Sequence, residues 1–248
     1  RAKFLVCGNL LSWGPHGAAF APGEDPAPLW PALAEALYRI RRAEKLSGEA
    51  DLILVKDLPG GAGEALRPFS YRPVETEPDM VLDLPAKWTG YKDYLAGLTS
   101  SYRQSAKKVF KEIDAAGAVV ERIEDPAPLA ERLHALYLQV HANAAVRPVT
   151  LTPSYLPELA RALPGRFRLA LIRRGEELLG FVTTLKDGDQ AVGYFLGFDR
   201  AAAEQMPLYL RLLHATVEDA ISLGCRSLSL GRTALDPKSR LGARPVPL

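Results

Sequence analysis

The sequence is poor in cysteine, with only Cys7 and Cys225 among its 248 residues. Both lie in apolar surroundings, within FLVCGN and SLGCRS, and they do not form a Cys-x-x-Cys motif. The low count excludes a disulfide framework. It favours two reduced core residues in a cytoplasmic protein over a reactive nucleophile.

A long hydrophobic run is also missing. No stretch approaches the roughly 18–20 apolar residues that a transmembrane helix needs, so no transmembrane segment is expected. No signal peptide is recognisable. The chain begins at Arg1 and enters the strand-like sequence KFLVC at once, and we therefore expect the natural N-terminus to precede it.

Charge of one sign does not dominate either. The formal net charge is +2, so nucleic-acid binding would need a local basic patch. The sequence contains no Walker A loop, GxSxG elbow, HExxH motif or dinucleotide fingerprint. These absences disfavour an NTPase, a serine hydrolase, a zinc protease and a dehydrogenase. A hydrophobic content of 48% with 24% charged residues is typical of a globular protein.

The first third of the chain predicts strands around one helix. Two strands are expected between residues 4 and 20, on either side of a turn at 13–17, and a helix at about 28–45. Short buried strands are expected at 51–56 and 80–84.

The next part predicts helices and one strand. Apolar spacing indicates a helix at 101–116 that ends at Gly117, then a strand at 118–123. Asp125 is a suitable N-cap for a further helix, and Thr152-Pro153 suits the start of a shorter one.

The clearest pattern lies in the last third. Three strands at 167–172, 178–185 and 191–198 are separated by tight turns, which predicts an antiparallel meander. A helix at about 207–223 and a strand at 226–230 follow, and this strand–helix–strand step implies a parallel pair. The sequence therefore predicts a mixed sheet in an α/β protein of the α+β type.

A weak internal repeat accompanies this pattern. PLW at 28–30 opens a helix that is followed by DLILVKD, and PLY at 207–209 opens a helix that is followed by RSLSLGR. Two strands and a polar loop are expected before each helix. We interpret the repeat as a duplication, with coincidence between two common βαβ units as the alternative.

The element order in residues 100–230 resembles the GNAT (N-acetyltransferase) fold. Four segments narrow the resemblance to the Fem-type peptidoglycan aminoacyltransferases, which contain two GNAT-like halves: TEPDMVLDLPAKW (76–88), YLAGLTSSYRQSAKK (94–108), LTPSYL (151–156) and GRTALDPKSRLGARPVPL (231–248). The resemblance implies tandem GNAT-like halves with mixed, mostly antiparallel sheets flanked by helices. An incomplete first half would span 1–99 and the second 100–248.

The same resemblance implies an N-acyltransferase. It would move an acyl or aminoacyl group from a thioester or an aminoacyl ester to an amine, such as one on a cell-envelope precursor. Acyl-CoA is one expected donor and aminoacyl-tRNA is the alternative, with tRNA then a partner. A second possibility, from a different class, is a non-catalytic GNAT-like module that binds a ligand or a partner.

In GNAT enzymes a loop of the pattern Q/R-x-x-G-x-G/A holds the pyrophosphate of acyl-CoA at a helix N-terminus. The corresponding stretch here is RAAAEQMPL at 200–208. Gln205 is retained as a cofactor-binding candidate. The glycines are absent and Pro207 removes one N–H donor, so we expect weak binding of CoA.

Two residues are candidates for catalysis. The GNAT arrangement places an oxyanion-binding N–H in the last meander strand, within 191–198, and Tyr194 lies nearby; a half-buried strand aromatic is the simpler interpretation. Lys238 follows a strand and precedes Gly242, where Fem-type enzymes carry a lysine that stabilises negative charge. Arg232 and Arg240 are expected to bind a carboxylate or phosphate beside it, although a solvated basic loop would show the same residues.

A basic stripe and three histidines complete the set of candidates. Lys107 lies in a run with Arg103 and Lys111 at a spacing of four, which could bind an anionic donor or a tRNA backbone, or form a solvated helix face. His134 and His141 share a helix face but lack a third ligand, and His16 is expected to be satisfied within its turn. We therefore expect no metal site.

Overall fold

The computed structural model describes residues 2–14, 16–58, 61–144 and 147–247. The chain divides into two compact units, the first ending at Pro78 and also including Pro247, and the second comprising Asp79–Val246. This division precedes the expected boundary at 99/100, because the strand that starts at Asp79 pairs within the sheet of the second unit. A GNAT-like character of the first unit stays a prediction.

The first unit contains a parallel strand pair. Its elements are β1 (Phe4–Cys7), α1 (Leu29–Leu46), β2 (Leu52–Val55) and α2 (Ala62–Leu66), followed by a 3-10 turn (Arg67–Phe69). β1 pairs with β2 in parallel, with Phe4 opposite Leu52. The buried side chains of α1 are Trp30, Ala34 and Leu37. Trp30 and Ala34 pack in one cluster with Phe20 and Leu66.

The second strand expected before residue 20 is absent from the described residues between β1 and α1. Gly8 and Gly14 have φ values of +141° and +115°, which break an extended path. The Gly14 N–H donates instead to the Asp57 carboxylate at 3.0 Å. Pro15, within the expected turn, lies outside the described residues.

The second unit consists of a seven-stranded sheet with helices. The strands are β3 (Asp79–Asp83), β4 (Val119–Ile123), β5 (Phe167–Arg174), β6 (Glu177–Asp187), β7 (Gln190–Phe198), β8 (Ser227–Ser229) and β9 (Arg244–Val246). The helices are α3 (Tyr91–Gly97), α4 (Ser100–Ala115), α5 (Ala130–His141), α6 (Tyr155–Ala162), α7 (Arg200–Gln205), α8 (Leu208–Ser222) and α9 (Leu235–Ser239).

The strand order of this sheet is β4-β5-β6-β7-β8-β3-β9. β5, β6 and β7 form an antiparallel meander, and β7 pairs with β8 in parallel. These two predictions from the sequence are confirmed, as is the mixed, mostly antiparallel sheet. β3 enters between β8 and β9 and is antiparallel to both, which local patterns do not reveal.

Helix α8 forms the centre of the core. It carries fully buried apolar residues on the side toward the sheet, among them Leu208, Leu212 and Val217. α5 packs on β7 so closely that Gly197 has no room for a side chain: an added Cβ would lie 2.5 Å from the carbonyl carbon of Leu136. β7 is thus held in place by two helices. One of them, α5, precedes it in the chain, and the other, α8, follows it.

Both units contain a strand–helix–strand step with parallel strands, β1–α1–β2 and β7–α8–β8. This agrees with the repeat in the sequence, although the hairpin expected before α1 does not form in the described residues. The duplication itself stays a prediction. Within the described part of the chain, no helix is long and apolar enough to cross a membrane.

Candidate active site

The parallel strands β7 and β8 share only a short stretch of pairing. Gln190, Ala191 and Val192 pair with Ser227, Leu228 and Ser229. β7 continues to Phe198, and in the described residues its positions beyond Val192 have ladder partners on β6 alone. The ladder between the two strands therefore ends at Val192 and Ser229, at the carboxyl end of β8, and ligands of α/β sheets commonly bind beyond such strand ends. An oxyanion-binding N–H within 191–198 stays a prediction.

A β-bulge marks the same place. The register between β6 and β7 shifts between Val182 and Thr184, so that Thr183 lies opposite two residues, Tyr194 and Phe195. The buried hydroxyl of Thr183 accepts a hydrogen bond from the Phe195 N–H at 3.0 Å and donates to the Phe195 carbonyl at 2.9 Å. A side chain thus takes over the pairing that the bulge interrupts.

Thr183 was not among the residues that the sequence suggested. Its signal is weak, since it is one of two threonines in the otherwise apolar run LLGFVTTL. The bulge that makes it important depends on register, which a single sequence does not specify.

Tyr194 lies in this bulge and is half-buried. Its hydroxyl forms a hydrogen bond of 2.7 Å with the hydroxyl of Tyr155, at the start of α6. Burial, and then the bond to Tyr155, raise the pKa of Tyr194 above its usual value. The phenol therefore keeps its proton at neutral pH and can act as a hydrogen-bond donor rather than as a base.

Lys238 lies in the short helix α9 instead of a loop, and its side chain is buried, with the residue 3% exposed. Its ammonium donates to the carbonyls of Gly231 at 2.9 Å and Arg232 at 2.6 Å. The alternative of a solvated basic loop is therefore wrong for Lys238. The contacts show that it positions the segment after β8, and a catalytic role stays a prediction.

The segment after β8 has an unusual backbone. Thr233 and Ala234 adopt φ values of +65° and +47°, which non-glycine residues rarely do. The buried carboxylate of Asp79 accepts hydrogen bonds from the Gly231 N–H at 2.9 Å and from the Ser229 hydroxyl. Asp79 thus binds a backbone N–H of this segment and Lys238 binds two of its carbonyls. Together they fix the backbone at the carboxyl end of β8.

The two arginines near Lys238 differ. Arg232 is half-buried shortly after β8, and its own carbonyl accepts a hydrogen bond from Lys238. Arg240 is exposed and forms an ion pair of 2.9 Å with Asp236 one turn away. Arg232 is therefore placed at the strand end, whereas Arg240 lies at the surface of the segment.

The stretch at 200–208 corresponds to the pyrophosphate loop of GNAT enzymes, but its conformation differs from that of a loop. It forms the helix α7, capped by the Asp199 carboxylate, which accepts from the Ala202 N–H at 3.0 Å. Ala202 and Met206 are buried in the core. Gln205 is the exposed last residue of α7. Ala202 thus serves packing, and the stretch is helical instead of a loop of free N–H groups.

The remaining candidates lie elsewhere. Lys107 is exposed on α4 and lines a groove between α3 and α4. His134 and His141 are bound to Leu151 and Thr150, and His16 to Trp13 in its own turn. Among the described residues no group of three or more potential metal ligands occurs.

Comparison with known protein families identifies the family of this chain. The model of the Acetyltransferase (GNAT) domain matches residues 100–239, more than half of the chain. The chain therefore belongs to the GNAT acetyltransferase domain family. It is an N-acyltransferase of the GNAT type, a class that transfers acyl or aminoacyl groups.

Solved structures with a similar fold cover nearly the whole chain. FemX is 11% identical with a TM-score of 0.57, over 97% of this chain and 77% of FemX. The C-terminal domain of a putative lysylphosphatidylglycerol synthetase from Agrobacterium fabrum is 10% identical with a TM-score of 0.55, over 86% and 71%.

The L-PGS from Bacillus licheniformis is 12% identical with a TM-score of 0.53, over 82% of this chain and 60% of that one. The chain thus spans less than two thirds of that protein. No match was found among curated proteins. The likeness to these structures concerns the fold, while membership of the GNAT family rests on the match to residues 100–239.

Proposed function

We propose that acyl transfer takes place where the ladder between β7 and β8 ends. The observation that carries the proposal is the end of this parallel pairing beside a bulge that a buried hydroxyl, Thr183, holds in place. The hydroxyl of Thr183 on β6 binds both the N–H and the carbonyl of Phe195, so the backbone of β7 has a fixed path through the bulge. Preorganised donors of this kind lower the barrier most, because no reorganisation is needed during the reaction.

The proposed reaction is the attack of an amine nitrogen on the carbonyl carbon of a thioester or an aminoacyl ester. A C–N bond forms, and the C–S or C–O bond of the donor breaks. The nitrogen loses a proton, and the departing thiolate or alkoxide gains one. Backbone N–H groups of β7 beyond Val192, other than that of Phe195, would bind the developing oxyanion, and the protonated Tyr194 would donate to the leaving atom.

The segment after β8 completes the proposed site. Arg232 is half-buried at the carboxyl end of β8 and would bind an anionic part of the donor or acceptor. Lys238 would contribute by holding the backbone of Gly231 and Arg232, and Asp79 by holding Gly231. The ammonium of Lys238 already donates to the carbonyls of Gly231 and Arg232. This favours a role in positioning the backbone over direct contact with the reacting groups.

The acceptor that we propose is an amine on a cell-envelope precursor, in line with the likeness to FemX and to lysylphosphatidylglycerol synthetase domains. An acyl-CoA or an aminoacyl-tRNA is the proposed donor. The residues at α7 do not fit the usual pyrophosphate loop, since the chain is helical there and lacks the glycines. That misfit favours a donor held by other contacts.

Tyr194→Phe should lower the rate constant of transfer by about tenfold, equivalent to roughly 1.4 kcal/mol, because the leaving atom loses its proton donor. The measurement is product formation by mass spectrometry with a panel of acyl-CoAs, aminoacyl esters and amines. Tyr102→Phe, at another half-buried tyrosine of the same unit, serves as the control. Equal rates in the wild type and Tyr194→Phe would remove Tyr194 from the mechanism.

CoA itself should bind with a dissociation constant above about 10 μM, or a binding free energy weaker than about −7 kcal/mol, because α7 replaces the glycine loop. Isothermal calorimetry with CoA and acetyl-CoA provides the measurement. Stoichiometric CoA that remains bound through purification would contradict this expectation. Binding without turnover for any donor and amine would instead favour a non-catalytic binding module.

A further inference from the structure

A groove lies between α3 and α4, on the helical layer of the second unit. Its volume is about 720 Å³, within the range of roughly 300–1,000 Å³ that is typical of small-molecule sites. Tyr91, Leu95 and Phe110 provide apolar lining, and Lys107 and Lys111 provide positive charge. Asp114 lies at the C-terminal part of α4 in the same groove. We call this the α3–α4 groove.

Its aromatic lining is held by buried residues of α8. The Tyr91 hydroxyl forms a hydrogen bond of 2.8 Å with His214 Nδ1. The guanidinium carbon of Arg211, which is 7% exposed, lies 4.2 Å from the centre of the Phe110 ring. The rings of Tyr91 and Phe110 are 5.3 Å apart and inclined by 37°. The lining is therefore preorganised, which reduces the entropy lost on binding a ligand.

His214 adds no positive charge to this layer. Burial, and then the nearby charge of Arg211, lower the pKa of His214 to about 3, so it is neutral at physiological pH. Arg211 itself faces Glu218 at 3.2 Å, which balances its charge. The net charge that the groove offers a ligand therefore comes from the lysines and from Asp114.

The two lysines are available for a ligand. Lys107 and Lys111 are exposed, one helical turn apart, and neither forms an ion pair with another described residue. Lys108, beside them on the same helix, lies outside the groove and pairs with Glu112 at 3.6 Å. Side chains four residues apart on a helix are neighbours, so both ammonium groups can reach one anion.

From these contacts we infer that the α3–α4 groove binds an amphiphilic phosphate, with a phosphate monoester between Lys107 and Lys111 and an apolar chain over Tyr91, Leu95 and Phe110. A phosphate monoester carries nearly two negative charges at neutral pH. It therefore matches two ammonium groups better than a ligand with a single carboxylate does. A flexible apolar chain can follow two inclined rings and a leucine, whereas a planar nucleobase could stack on only one ring. The site lies apart from the proposed transfer centre and does not depend on it.

The test titrates the intact chain with octyl phosphate by isothermal calorimetry and repeats the titration with the double variant Lys107→Gln/Lys111→Gln. We expect binding by the wild type and at least tenfold weaker binding by the double variant. Lys108→Gln is the control for surface charge, because it removes one positive charge from the same helix outside the groove, and it should bind within about twofold of the wild type. Circular dichroism verifies that each variant is folded.

Two further probes separate the head from the tail. Inorganic phosphate and octyl glucoside should each bind at least tenfold more weakly than octyl phosphate, since each lacks one half of the ligand. Absence of octyl phosphate binding, equal weakening by Lys108→Gln, or equally tight inorganic phosphate would each overturn the inference.

The source of the phosphate is tested with vesicles. Sedimentation with phosphatidylcholine vesicles that contain phosphatidic acid, compared with phosphatidylcholine alone, shows whether the head group is reached in a membrane. Sedimentation that requires both Lys107 and Lys111 would support the inference and assign a lipid source. Octyl phosphate binding without sedimentation would support it and assign a soluble source. None of these readouts depends on acyl transfer.

Discussion

Gly197→Ala should destabilise the second unit by about 3 kcal/mol or more, lowering its melting temperature by roughly 10 °C. The added Cβ would overlap the backbone nitrogen of Tyr137, and it would lie 2.5 Å from the carbonyl carbon of Leu136 and 2.7 Å from Phe181 Cε1. Two of these three neighbours are backbone atoms of α5. They can move only if the whole helix shifts away from β7, and such a shift would disturb the core on that side of the sheet.

Chemical and thermal unfolding of the variant measure this effect. Gly90→Ala is the matched control, because it introduces the same methyl group in the same unit, where nothing lies within 4 Å of the new Cβ and φ is −166°. We expect it to stay within about 1 kcal/mol of the wild type. A Gly197→Ala variant as stable as this control would mean that α5 is not held against β7 as closely as the structure shows.

Lys238→Met should lower the free energy of unfolding by about 2 kcal/mol. Methionine fills much of the same space but cannot donate to the carbonyls of Gly231 and Arg232, and unpaired buried acceptors cost about 1–3 kcal/mol each. Gly231 retains a bond from the Met80 N–H at 3.2 Å, so the loss falls mainly on Arg232. Urea unfolding at neutral pH provides the measurement, with the exposed Lys108→Met as control.

The stability of this variant decides between two roles for Lys238. The sequence and the family resemblance predict a catalytic charge, whose removal slows transfer by at least about tenfold and leaves stability almost unchanged. The hydrogen bonds predict a positioning residue, whose removal lowers stability and disturbs Arg232. Full stability together with a tenfold slower reaction would restore the catalytic role and argue against the positioning role.

Local patterns in the sequence predicted the local parts of the fold. Tight turns and alternating apolar residues identified the meander of β5, β6 and β7, and helical spacing identified α1, α4 and α8. The parallel pairing of β7 with β8 followed from the helix between them. These features depend on residues that are close in the chain, where propensity and periodicity carry the information.

Features that depend on distant residues were not predictable. The bulge at Thr183 needs the register between two strands, and the burial of Lys238 needs the carbonyls that a left-handed segment turns toward it. The bond between Tyr155 and Tyr194 joins residues from α6 and β7. α7 was missed for a different reason: family resemblance suggested a loop, whereas the run Ala201-Ala202-Ala203 has high helix propensity.

The position of β3 has a consequence for the order of folding during synthesis. β3 is the first strand of the second unit to leave the ribosome, yet both of its partners, β8 and β9, lie within residues 227–246. The meander can pair as soon as it is made, while the apolar segment MVLDL waits unpaired until residues 227–246 have been translated. Such late, non-local pairing slows folding and leaves a strand edge open to aggregation. The newly made chain should therefore benefit most from a chaperone that covers residues 79–83 until β8 and β9 arrive.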